Sequence, residues 1–113
     1  MLPRVYWLTG LSGAGKSTIA VALAAALRER QGPVCLLDGD VVRRGLCKDL
    51  GFDAASRMEN ARRMGEVAKL FHLSGVPVVA AFISPFREGR EAVRRCLPAG
   101  IFIEVHGALG ANG

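Results

Sequence analysis

The feature that most constrains this chain is a short glycine-rich segment. Gly10, Leu11, Ser12, Gly13, Ala14, Gly15, Lys16 and Ser17 follow the spacing G-x-x-x-x-G-K-S, and their flanks give that spacing its meaning. Residues 5–9 are apolar and rich in β-formers, the pattern of a buried strand. After the glycines, Ile19, Leu23 and Leu27 recur at helical spacing among alanines over 16–30, until Gln31, Gly32 and Pro33 supply a stop. A strand, a glycine turn and a helix in that order let backbone N–H groups converge on phosphate oxygens, where the positive end of the helix dipole adds to the attraction. Lys16 is then expected to reach the β- and γ-phosphates of a nucleotide, Ser17 to offer its hydroxyl to Mg2+, and Thr18 to lie close behind. A glycine turn that merely eases helix–sheet packing is the plainer reading. Lys16 sits among apolar neighbours and would be costly to bury without an anion, which favours binding.

The rest of the chain repeats the strand–helix theme. An apolar strand is expected over 34–37, ending in Asp38, Gly39 and Asp40, followed by a short helix or turn over 41–46 and a loop over 49–55. Met58, Ala61, Met64, Ala68 and Phe71 predict a long helix over 57–74, with Gly75 as its terminator. Residues 76–83 form a continuous apolar run, a third strand, with Pro77 near its start where a lost donor is tolerable. Pro85 opens a further helical pattern that Pro98, Ala99 and Gly100 close, and residues 101–105 read as a fourth strand. Strands that are apolar throughout and alternate with helices require a parallel sheet covered on both faces. The expected class is therefore α/β, a parallel sheet sandwiched by helices in the manner of P-loop nucleotide-binding domains. One domain is expected over 1–105, and residues 106–113, small and unpatterned, are expected to form a disordered or atypical tail.

Composition narrows the partners. At 113 residues the chain has room for one core but not two. No apolar run is long enough to span a bilayer and none has the flanks of a signal peptide, so no membrane partner is expected and a cytoplasmic location is. The net charge of +5 comes mostly from arginine, whose planar fork suits phosphate and sulfate. Few aromatics accompany those arginines, so a nucleic-acid surface is not expected. Cys35, Cys47 and Cys96 lack metal or disulfide spacing and read as buried thiols, while His72 and His106 read as surface residues without a role.

Asp38 and Asp40 follow the second strand, at the carboxyl end of a parallel sheet, where ligands of this architecture collect. One of them could hold metal-bound water while the other accepts a proton from a hydroxyl acceptor, with Asp40 favoured as the base. The plainer alternative is that both aspartates cap the short helix that follows. Arg43, Arg57 and Asn60, with Phe52 between them, could together hold an anionic aromatic ligand. Taken singly, Phe52 reads as core and Arg43, Arg44, Arg62 and Arg63 as a solvated basic face. The third strand carries no acidic residue, which weighs against a GTPase or motor ATPase. Spacing alone leads to a kinase for a small anionic substrate.

The ordered blocks go further. Gly10 to Thr18, then Leu37-Asp-Gly-Asp40 with Arg43, Gly45-Leu-Cys47 and Asp49-Leu-Gly-Phe52, then Arg57, Glu59-Asn60, Arg62-Arg63, Glu66 to Phe71, Ala81 to Arg87 and Phe102 to Val105, together resemble the adenylylsulfate (APS) kinase family. The resemblance implies transfer of the γ-phosphoryl group of ATP, accompanied by Mg2+, to the 3′-hydroxyl of adenosine 5′-phosphosulfate, giving PAPS. It implies that Asp40 is the acceptor's base and that Arg43, Arg57 and Asn60 hold the phosphosulfate. Phe52 would pack on the adenine, and Ile83 and Ser84 would line the acceptor site. Two departures stand out. Ser56 occupies a position where the family commonly has an acidic residue, which is expected to loosen Arg57. After Val105 the family continues with a basic lid, a further strand and a helix, so this chain is expected to be impaired or inactive alone. An open apolar edge at its fourth strand is then expected, favouring a homodimer or aggregation. Two other readings stay open at this level: a different small-molecule P-loop kinase, and a nucleotide-binding fragment without turnover.

Overall fold

The computed structural model describes the backbone of residues 3–9, 14–81, 91 and 93–106, and their side chains apart from those of residues 9, 14–17 and 106. Its elements run β1 (Val5–Thr9), α1 (Ala14–Gln31), β2 (Cys35–Asp38), α2 (Gly39–Arg44), α3 (Ala54–Leu73), β3 (Val78–Ala81) and β4 (Phe102–His106). Residues 91 and 93–95 are also helical. The four strands form one sheet in the order β2-β3-β1-β4, and every pairing is parallel. No helix among the described residues is long and apolar enough to cross a membrane.

Successive side chains of a strand point to opposite faces, and the two halves of the core follow that alternation. Val5 and Trp7 of β1 join Val78 and Ala80 of β3 on one face, under Val42 of α2, Ala61, Met64 and Ala68 of α3, and Val93 and Leu97. Leu8, Val79 and Ala81 lie on the other face under Ala20, Ala24 and Leu27 of α1. Both faces of the sheet are therefore covered by helices. Within α1 the fully buried stripe begins at Ala20 and Ala24, with Ile19 and Leu23 only half-buried at its margin. The expected face thus holds at Leu27, while at the other two turns Ala20 and Ala24 are buried deeper than Ile19 and Leu23.

The helices start earlier than apolar periodicity indicates. α3 opens at Ala54 rather than Arg57, because Asp53 caps it: the Ser56 N–H donates to Asp53 Oδ2 at 3.3 Å. The far end of α3 closes as a Schellman turn, with Gly75 at φ +83° and its N–H donating to His72 O. Val76 N–H donates back to Phe71 O at 2.9 Å and completes the motif. His72, expected as a surface residue, is half-buried, and its Nδ1 lies 2.7 Å from the Pro3 carbonyl oxygen. Cys47 is fully buried, whereas Cys35 and Cys96 are only half-buried.

Candidate functional site at the carboxyl end of the sheet

Register decides which loops meet. Leu8 pairs with Ala81, Asp38 also pairs with Ala81, and Thr9 pairs with His106. In a parallel sheet these strand ends share one edge, so Thr9, Asp38 and Ala81, the last residues of β1, β2 and β3, lie at the same rim. Gly10, Leu11, Ser12 and Gly13 lie outside the described residues, as do Ile83 and Ser84. Ala14, Gly15, Lys16 and Ser17 form the first turn of α1, their side chains outside the description, and Thr18 follows on an exposed face.

Asp38 is the N-cap of α2. Its Oδ1 accepts the Asp40 N–H at 2.8 Å, with backbone φ −87° and ψ 128° that let the chain turn from strand to helix. The capping reading is thus correct for Asp38, whose Oδ2 accepts no hydrogen bond among the described residues. Asp40 stands exposed in the first turn of α2, its backbone fixed by that cap. Two hard carboxylate oxygen donors at a sheet end suit Mg2+ arriving with nucleotide phosphates and keeping part of its water shell. Among the described residues no group of three or more His, Cys, Asp and Glu side chains could hold a metal by itself.

Of the residues expected on the acceptor side, Arg43 and Phe52 meet in the segment joining α2 to α3, while Arg57 and Asn60 lie on α3. Phe52 is 69 % exposed, so it is not a core residue. The Arg43 guanidinium lies over its ring at 4.1 Å from the centroid, and Arg43 Nη1 donates to Gly51 O at 3.2 Å. Arg57 is exposed on the first turns of α3, and its N–H donates to Asp53 O. Asn60, one turn further along, is only 6 % exposed, and its Oδ1 is buried without a hydrogen-bond partner among the described residues. An orphaned buried amide oxygen is rare in folded proteins and calls for a partner, whether ordered water or a ligand donor.

Arg62 and Arg63, expected to form a solvated basic face, are ion-paired instead. Arg62 donates twice to Glu59, and Arg63 Nε donates to Glu59 Oε2 at 2.9 Å. Arg63 also grips Asp49 with both terminal nitrogens, at 2.7 and 3.1 Å. The Arg62 hydrogen bonds first, and those of Arg63 second, hold the Glu59 carboxyl down at about 2. Asp49 is likewise lowered, chiefly by its hydrogen bond from Arg63. Burial pushes the Cys47 thiol up despite the arginines beside it. Glu59 spaced three and four residues before two arginines is a helical ion-pair signal that was legible in the sequence; Asp49 carried none.

A parallel sheet with helices on both faces, a glycine–lysine–serine segment leaving its first strand and an aspartate pair leaving its second define a P-loop kinase domain. Comparison with known proteins narrows the class. The adenylylsulphate kinase family model matches residues 2–111, and the chain belongs to that family. An adenylyl-sulfate kinase of Shewanella sp. strain MR-4 is 61 % identical over 104 residues, which cover 92 % of this chain and 51 % of that protein. The chain thus spans about half the length of the curated relatives it matches. Among solved structures, the Mycobacterium tuberculosis APS kinase in complex with AMPPNP and APS superposes with a TM-score of 0.84 at 38 % identity, covering 98 % of this chain and 73 % of that one. A hexameric APS kinase from Thiobacillus denitrificans gives a TM-score of 0.77 at 43 % identity, covering 93 % of this chain and 22 % of that one.

Proposed function

We propose that this chain carries the nucleotide cradle and much of the acceptor site for phosphorylation of adenosine 5′-phosphosulfate by Mg-ATP. The observation that supports the reading is the strand register, which sets the carboxyl ends of β1, β2 and β3 at one rim of the sheet, and in sequence the glycine segment, the aspartate pair and the segment with Ile83 and Ser84 follow those ends. Residues 10–18 would bind ATP, with the α1 dipole and Lys16 facing its terminal phosphates and Ser17 contributing a hydroxyl to the magnesium shell. Mg2+ would neutralise charge that builds on the phosphate oxygens.

Asp40, exposed at the start of α2, would accept the proton of the acceptor's 3′-hydroxyl. The freed oxygen attacks the γ-phosphorus, the bond from that phosphorus to the β,γ-bridging oxygen breaks, and ADP leaves with the electron pair. Arg43 and Arg57 supply guanidinium forks for the phosphosulfate, and the orphaned Asn60 Oδ1 supplies an acceptor. Phe52, exposed although Arg43 lies over one face of its ring, would offer that ring to the adenine, and Ile83 and Ser84 would line the acceptor side. The family kinship and the APS-bound relative support this reading.

Calorimetry with Mg-ATP, followed by an ADP-release assay with and without APS, tests it. Binding that Lys16→Ala reduces at least about tenfold is expected, since Lys16 is the one lysine or arginine in the sequence 10–18. Absence of heat with folded protein and no competition by ADP would overturn the nucleotide site. Turnover that prefers a different acceptor would overturn the assignment to APS.

A further inference from the structure

Residues 45–53, between α2 and α3, contain turns and bends but no helix or strand, yet two guanidinium groups grip them from opposite ends. From α2, Arg43 holds the Gly51 carbonyl and covers the Phe52 ring. From α3, Arg63 donates to the Leu46 carbonyl at 3.1 Å and to both carboxylate oxygens of Asp49. Glu59 fixes Arg63 through Nε and is itself held by Arg62. All three nitrogens of the Arg63 fork are therefore engaged, and its side chain is only 24 % exposed. Between the two grips the buried Cys47 anchors the segment in the core.

We propose that Arg63 is a positioning residue: with Asp49 and Glu59 it sets the conformation of residues 45–53, and through it the placement of Phe52 and Arg43 for the nucleotide acceptor. This rests on the acceptor reading given above. A segment already ordered before binding loses less freedom when the ligand arrives, so its clamp contributes to acceptor affinity without touching the acceptor. The planar fork is essential, because lysine keeps the charge but cannot serve Glu59, Asp49 and the Leu46 carbonyl together. The hydrogen bonds of the clamp run among α2, α3 and the segment between them.

Amide hydrogen exchange and calorimetry on the full chain test this with Arg63→Lys and Asp49→Asn, the latter at a mostly exposed carboxylate whose loss leaves the core intact. In both variants exchange across 45–53 is expected to quicken about tenfold while β1 and β3 keep their protection. APS affinity is expected to fall about tenfold and Mg-ATP affinity to change less than about twofold. Unchanged exchange in 45–53 overturns the proposal, and so does a loosened segment with unaltered APS affinity. Equal losses for APS and ATP overturn it too, since they signal general destabilisation. A wild-type chain that binds ATP but not APS would instead retire the acceptor assignment, and the exchange data would still decide whether Arg63 sets the segment.

Discussion

Gly65 shows how a single missing methyl group sets the spacing of two helical segments. A Cβ placed there would lie 3.1 and 3.3 Å from two methyl carbons of Val93 and 3.4 Å from its Cα, and Val93 is wholly buried. Alanine is favoured over glycine inside a helix by about 1 kcal/mol, whereas forcing extra volume into a packed core costs about 1–3 kcal/mol. The steric term wins, so Gly65→Ala is expected to lower stability by about 1 kcal/mol in urea unfolding; a higher midpoint would refute it. Glu59 provides a lever of a different kind. Its carboxyl sits at about 2 in the folded chain against an ordinary 4.5, so protons bind the unfolded form more readily. Its contribution to stability is fully present above pH 4.5 and is lost as pH falls towards about 2. Glu59→Gln should flatten the acid limb of stability within that window, as urea midpoints taken across it would reveal. Neither the Val93 contact nor the Asp49 partner of Arg63 could be read from the sequence, because both join residues distant along the chain, whereas the Glu59–Arg63 spacing on one helix face could.

At the level of elements, β1, α1, the long α3 and the apolar β3 were legible because their signals are local: uninterrupted β-formers, 3.6-residue periodicity and glycine at the Schellman position. Helix starts were less so. α2 begins at Gly39 and α3 at Ala54 because Asp38 and Asp53 satisfy their first N–H groups, an event that apolar periodicity does not register. The cap on α2 separates structure from chemistry at Asp38. Asparagine caps as well as aspartate, while alanine cannot, so Asp38→Ala is expected to cost about 0.5–2 kcal/mol and Asp38→Asn much less. If Asp38 acts only as a cap, the Asn variant also keeps Mg-ATP affinity. A weaker Mg-ATP complex at unchanged thermal stability would instead assign the Asp38 carboxylate to the ligand.

The molecule as a whole is organised around β1. Trp7 is fully buried on that strand, with its ring 5.8 Å from that of Phe102 on β4. Because Trp7 is the chain's one tryptophan, its fluorescence reports the sheet. Its transition in urea should coincide with loss of helical circular dichroism; separate transitions would mean that the two faces of the core unfold independently. The parallel class was legible from apolar strands alternating with helices, but the strand order was not, since pairings across the chain leave no local mark. That order has a consequence for biosynthesis. Of the four strands of this sheet, β1 is synthesised first yet lies between β3 and β4, so one flank waits for Val78–Ala81 and the other for Phe102–His106. Roughly a hundred residues from β1 onward must be synthesised before both of its edges are satisfied. Until then the nascent chain holds out a naked greasy ribbon, which makes β1 a target for chaperones during translation.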